Sequence, residues 1–235
     1  MFHAPDFELY APRFQGDVEW NSRRLDIRHR LQEVGELVKS DFADIGIGLE
    51  RRESLHHPHA TNRKRVRRQR TMIFRDKSAR RTLQDILGRE LGRDLNSAAN
   101  NVHLQFGIDA DGIWWGMRID RGAWYDLNVL LKRAEEGEGR KEIAAACRNA
   151  PSFCLEIDHG GSRLLLDQGD KEWRELAGTL QPGEVSLDII RRVSATEVET
   201  EADTLIDIAR ADFASLAPLF RLASWTPDSP SGVSF

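Results

Sequence analysis

Residues 102–119 read VHLQFGIDADGIWWGMRI. Apolar and other residues alternate from Val102 to Ile108 and again from Ile113 to Ile119, on either side of Asp109-Ala110-Asp111-Gly112. Period-two patterning around an Asp-Gly turn predicts a β-hairpin. Side chains on a strand alternate between faces, so Trp114 and Trp115 point opposite ways. One belongs to a core. The other is free to stack on a base or to be covered by a second layer of helices.

Working outward, YDLNVLLKR at 125–133 places Leu127, Leu130 and Leu131 on one face of a helix over Ala123–Glu135. After a polar break at Glu135–Gly139, a short helix over Arg140–Arg148 leads to a second hairpin. Its strands are Phe153–Ile157 and Arg163–Leu166, joined by Asp158-His159-Gly160-Gly161. A helix at Lys171–Ala177 and a strand at Val185–Val193 follow. A closing helix over Glu199–Ala223 is striped by Leu205, Ile208, Ala209, Phe213, Leu216 and Phe220, with Pro218 as a potential kink.

Upstream, Ile27, Leu31, Val34, Leu37, Val38 and Phe42 fall at helical spacing within Glu19–Phe42. Ile45, Ile47 and Leu49 alternate as a strand. Val66–Phe74 reads as another strand. Asp76 or Ser78 opens a helix striped by Leu83, Ile86, Leu87 and Leu91. Hairpins mixed with helices, without a glycine-rich βαβ start, predict an α+β fold. The expected architecture is an antiparallel or mixed sheet of hairpins packed by helices in a single domain. Residues 19–223 form that domain, 1–18 an extended N-terminal arm and 224–235 a flexible tail.

Residues 51–81 stand apart in charge. They hold twelve Lys/Arg against two acids, a net +10, in a chain whose formal charge is −4, so the other 204 residues sum to −14. Positive charge concentrated this way suits a polyanion, and arginine's planar fork suits phosphate. The candidate nucleic-acid contacts are Arg63, Lys64, Arg65, Arg67, Arg68 and Arg70 on the strand, then Arg75, Lys77, Arg80 and Arg81 around the helix start. On a strand, Arg63, Arg65 and Arg67 would share one face, and Lys64, Arg68 and Arg70 the other. Cations at a helix N-terminus oppose its dipole, a conflict that a bound phosphate would relieve. The strand and helix cations would then form two lobes of one anion site. The same charge also suits an edge strand protected against aggregation, or a surface that docks an acidic partner.

The remaining constellations carry less. His56, His57 and His59 lack HxxxH or HExxH spacing and read as a solvated loop that adds charge at lower pH. Asp109–Gly112 fails the calcium-loop pattern, which would need an acid at Gly107 and a glutamate at Arg118. Glu156 and Asp158, with Lys171 downstream, are the candidates for a metal-dependent nuclease or hydrolase, although the next strand supplies no ExK. Gly160-Gly161 lacks the GK[ST] of a phosphate loop, and no cofactor motif is present. Cys147 and Cys154 have no CxxC spacing and read as free thiols of a reducing cytoplasm. No apolar run approaches the roughly 18–20 residues of a membrane span, and the N-terminus has acids where a signal peptide has basic residues.

An Arg-rich strand and helix start (QRTMIFRDKSARR, 69–81) thus precede the aromatic hairpin and the YDLNVLLKR helix. This order is similar to uncharacterised bacterial families of the YktB-like type. In those, a basic strand precedes a hairpin of the H-F-Q-I-G kind with a tryptophan on the return strand. The similarity covers residues 60–135, where His103, Gln105 and Gly107 fit the hairpin; Leu87–Asn101 and the histidine loop depart from it. It implies one α+β domain with no established catalytic residues. The resulting expectation is a cytoplasmic accessory protein, non-catalytic, binding DNA or RNA through its Arg-rich segment. The alternatives are a protein-interaction module and a metal-dependent nuclease.

Overall fold

The alternating segments pair as expected in a computed structural model, which describes residues 2–92, 94–158, 160–200, 203–227 and 229, without the side chains of residues 89 and 91. The strands are β1 (Leu49–Glu53), β2 (Arg68–Arg75), β3 (His103–Asp109), β4 (Gly112–Ile119), β5 (Cys154–Ile157), β6 (Arg163–Leu164) and β7 (Leu187–Ser194). They form one sheet in the order β1-β2-β3-β4-β7-β5-β6, antiparallel at every junction. The helices are α1 (Ala4–Glu8), α2 (Asn21–Asp44), α3 (Lys77–Leu91), α4 (Trp124–Glu135), α5 (Gly137–Arg148), α6 (Asp170–Thr179), α7 (Ala195–Thr200) and α8 (Leu205–Ala223). The fold is α+β.

Cross-strand register sorts the hairpin into two faces. Leu104 faces Met117, Phe106 faces Trp115 and Ile108 faces Ile113. All six are buried under the helices. Trp115 is the core tryptophan. It stacks 5.9 Å from Phe106 and donates its indole N–H to Asp212 at 2.9 Å. Burying an aromatic of this size removes roughly 150–250 Å² from water, worth ~4–6 kcal/mol. The opposite face carries His103, Gln105, Gly107, Trp114 and Arg118.

Two glycines permit that face. A Cβ on Gly107 would lie 2.3 Å from the Trp114 ring, so the ring lies flat over bare backbone. Gly116 has φ +153, and a Cβ there would meet the Ile189 carbonyl at 1.9 Å.

Several sequence expectations change. The N-terminal arm is helical rather than extended, and Phe2, Phe7, Leu9 and Tyr10 belong to the main core. Arg24, fully buried, fastens the following loop by donating to the carbonyls of Asp17, Leu9 and Phe14. The strand expected at Ile45–Leu49 begins only at Leu49. Gly46, at φ +80, turns the chain out of α2 instead, with the Ile47 N–H returning to the Phe42 carbonyl at 2.9 Å. β1 therefore lies inside the basic segment and covers β2, which is no edge strand. Ile86 is exposed at 52%, and Gly88, at φ +76, interrupts α3. The side chain of Leu91 lies outside the described residues. The break after α4 narrows to Glu136, and α5 starts at Gly137. The closing helix divides into α7 and α8, and Pro218 is accommodated inside α8. The tail expectation falls mostly on residues outside those described.

Candidate nucleic-acid interface

Val66 decides how the basic segment is presented. It is buried, and its N–H donates to the Gln15 carbonyl at 2.8 Å. The chain just before it turns through two consecutive left-handed residues, Arg63 at φ 55 and Lys64 at φ 57. Non-glycine residues rarely adopt this conformation, at a cost of about 1–2 kcal/mol each. The turn is held by Arg63 N–H to the Ala60 carbonyl at 3.1 Å and Lys64 N–H to the His59 carbonyl at 2.8 Å. The expected alternation of Arg63, Arg65 and Arg67 against Lys64, Arg68 and Arg70 therefore fails, because the strand starts only at Arg68. Instead Arg63, Lys64, Arg65, Arg67 and Arg68 form an exposed ridge, with no ion pair among the described residues. Lys64→Gly is expected to raise unfolding stability by about 1 kcal/mol, since glycine enters the left-handed region freely. The same change should weaken polyanion binding. Denaturant melts paired with binding titrations check both directions.

Two expected contacts leave the surface altogether. Arg75 is 3% exposed and pairs with Asp126. Arg80 is 7% exposed, pairs with Glu50 at 2.6 Å and donates to the Arg75 carbonyl at 2.8 Å. Its guanidinium also lies over Phe74. Lys77 and Arg81 are exposed, but at the far end of the eight-residue β2, roughly 25 Å from the ridge. The two-lobed site is therefore not formed. Nor does the α3 N-terminus need a phosphate, because the Asp76 carboxylate caps it, accepting the Ala79 N–H at 2.8 Å.

Arg70 joins the ridge to the polar face of the sheet. There, Arg68, Arg70, Arg118 and Arg192 line a cleft of about 90 Å³ with Gln105, Trp114, Asp109 and Asp188. Arg70 donates to Gln105 Oε1 at 2.7 Å, and Gln105 donates onward to Asp188 at 3.2 Å. Arg118 bridges Asp188 and Asp120, and Arg192 makes a bidentate pair with Glu156 at 2.6 and 3.0 Å. Arg68 lies over Trp114, 6.0 Å from the ring. Burial pushes the Arg70 guanidinium down to about 10, with Arg68 and Arg118 adding repulsion. Burial likewise raises the Asp188 carboxyl, against the pull of Arg118. Trp114 is only 6% exposed, so the expectation of a tryptophan offered for base stacking is not met.

These face residues, Gln105, Arg118, Asp188 and Arg192, were not among the candidates drawn from sequence. Their signal is nonetheless present: polar side chains at every second position of otherwise apolar strands.

His103 sits under this face, fully buried, its Nδ1 against the Asn101 carbonyl at 3.0 Å. Burial, reinforced by the Arg70 charge, pushes it down to about 4. The unfolded chain takes up this proton near the ordinary value of 6.5, before the folded one does. Stability is thus full above pH 6.5 and falls as pH drops toward 4, by on the order of 3 kcal/mol. His103→Gln is expected to flatten this dependence in denaturant melts run across that range.

The histidine loop stacks edge to face, with ring centroids 4.8 Å apart for His56–His57 and 6.1 Å for His57–His59. Among the described residues no group of three His, Cys, Asp or Glu side chains is placed to hold a metal ion. Glu156 is held by Arg192. Asp158 accepts the Ser186 N–H at 2.9 Å and lies 3.5 Å from Arg121. Among the described residues no helix is long and apolar enough to cross a membrane. Compared with known proteins, the chain matches no family model and no curated sequence. The resemblance to YktB-like families rests on the hairpin and basic-strand residues alone.

Proposed function

We propose that this chain is a non-catalytic, cytoplasmic accessory protein that binds nucleic acid through the ridge Arg63, Lys64, Arg65, Arg67 and Arg68. One observation carries the reading: five neighbouring exposed cations lack carboxylate partners among the described residues, and two are held in a strained turn. Elsewhere the fold pairs its arginines, as Arg51 with Glu36, Arg191 with Asp212 and Arg210 with Asp41 show. Strain kept at exposed, unpaired charge supports a binding role over a structural one. Contacts from such a ridge reach phosphates, so binding would be strong in salt dependence and weak in sequence preference. With about five phosphate contacts, affinity should fall on the order of a hundredfold or more between roughly 50 and 200 mM salt. Fluorescence anisotropy of labelled DNA and RNA strands measures this. If neither binds, and a partner protein is retained by the ridge after nuclease treatment, the ridge docks an acidic protein instead.

A further inference from the structure

Arg68 ends the exposed ridge, and two residues later Arg70 enters the cleft on the polar sheet face. We infer that this cleft receives the terminal phosphate, 5′ or 3′, of a nucleic-acid strand lying along the ridge. The inference rests on that ridge binding nucleic acid and adds which part of the strand is recognised.

Charge is the first argument. Arg118 and Arg192 are already matched, by Asp120 with Asp188 and by Glu156. Arg68 and Arg70 have no carboxylate partner among the described residues; Arg70 has only the neutral Gln105. Asp109, opposite Arg68 in the strand register, offsets one of these charges, although its carboxylate already accepts the N–H groups of Asp111 and Gly112. Two adjacent forks remain. A phosphomonoester, with a charge of about −1.5 to −2, has more to gain from them than a diester carrying one charge.

Size is the second. A volume of about 90 Å³ suits several waters or one phosphate group. It does not admit a nucleoside, and the 6% exposure of Trp114 leaves no open ring face for a base. The site is therefore built for the anion at the end of a chain, with the sugar and base outside. Third, Arg70 is held largely out of water, where a charge-assisted hydrogen bond is stronger than on the open ridge. An arriving anion would also relieve the repulsion among Arg68, Arg70 and Arg118.

The test compares one single strand with a 5′-phosphate, a 3′-phosphate or hydroxyl ends, by anisotropy at about 150 mM salt. At least one phosphorylated form should bind about tenfold tighter than the hydroxyl form. Arg68→Ala, an exposed position without an ion pair among the described residues, should erase that preference, and Arg70→Gln should do the same. Arg63, Arg65 and Arg67→Ala together should weaken all three strands while preserving their ratio. Equal binding of all three strands to the wild-type protein overturns the terminal-phosphate site and leaves the ridge intact. If no strand binds, the ridge reading fails. Calorimetry with inorganic phosphate then decides the cleft separately: saturable heat lost in Arg68→Ala supports an anion site, and its absence overturns one.

Discussion

Asp126→Ala is expected to lower unfolding stability by about 3–5 kcal/mol, the loss typical of breaking a buried ion pair from one side. Asp126 is 1% exposed and serves three segments at once. One oxygen holds Arg75 at the end of β2 and accepts the Trp225 N–H at 3.1 Å. The other accepts the Val102 N–H at 2.6 Å, at the entry to β3. Alanine would strand a guanidinium that is itself buried, together with two backbone donors. For a chain of this size, the melting temperature should drop by roughly 6–20 °C. Asp126→Asn keeps an acceptor oxygen for the backbone and should lose less. An unchanged melting temperature in Asp126→Ala would mean that this tie is not formed.

The same tie explains why part of the basic segment was misread from sequence. A charge count over residues 51–81 cannot register Asp126, 51 positions beyond Arg75, or Glu50, just outside the segment. Once these acids are in place, Arg75 and Arg80 become internal fastenings of α3 and α4 to the sheet. What remained legible was what local periodicity determines. The hairpin at 102–119 alternates cleanly on both strands around an Asp-Gly turn, and its two faces separate as the pattern requires. Helix α2 announces itself by six apolar residues at helical spacing. Less legible were features set by backbone conformations that no period encodes. The left-handed pair Arg63–Lys64 delays β2 to Arg68, and Gly46 and Gly88, both at positive φ, displace β1 and interrupt α3. The polar cleft was hidden for another reason: its members come from β2, β3, β4 and β7, and only the register brings them together.

The ridge carries the largest expected effect on binding. Arg63, Arg65, Arg67 and Arg68→Ala together should reduce affinity for DNA and RNA on the order of a hundredfold or more at about 50 mM salt. All four side chains are exposed and unpaired among the described residues, so the variant should fold and melt as the parent does. Surface substitutions away from such partners usually shift stability by only about 0.5 kcal/mol. Lost binding with retained stability would therefore assign the loss to the contacts themselves. Lys77→Ala with Arg81→Ala, at the far end of β2, should cost much less and serves as a control for charge removed away from the ridge.

The most direct measurement is the slope of log affinity against log salt for a single strand, on the parent and on the four-arginine variant. Five ridge contacts predict a parent slope of about −3.5, and loss of four should leave about −0.7. Parallel lines of equal affinity would contradict a ridge that binds nucleic acid through its phosphates.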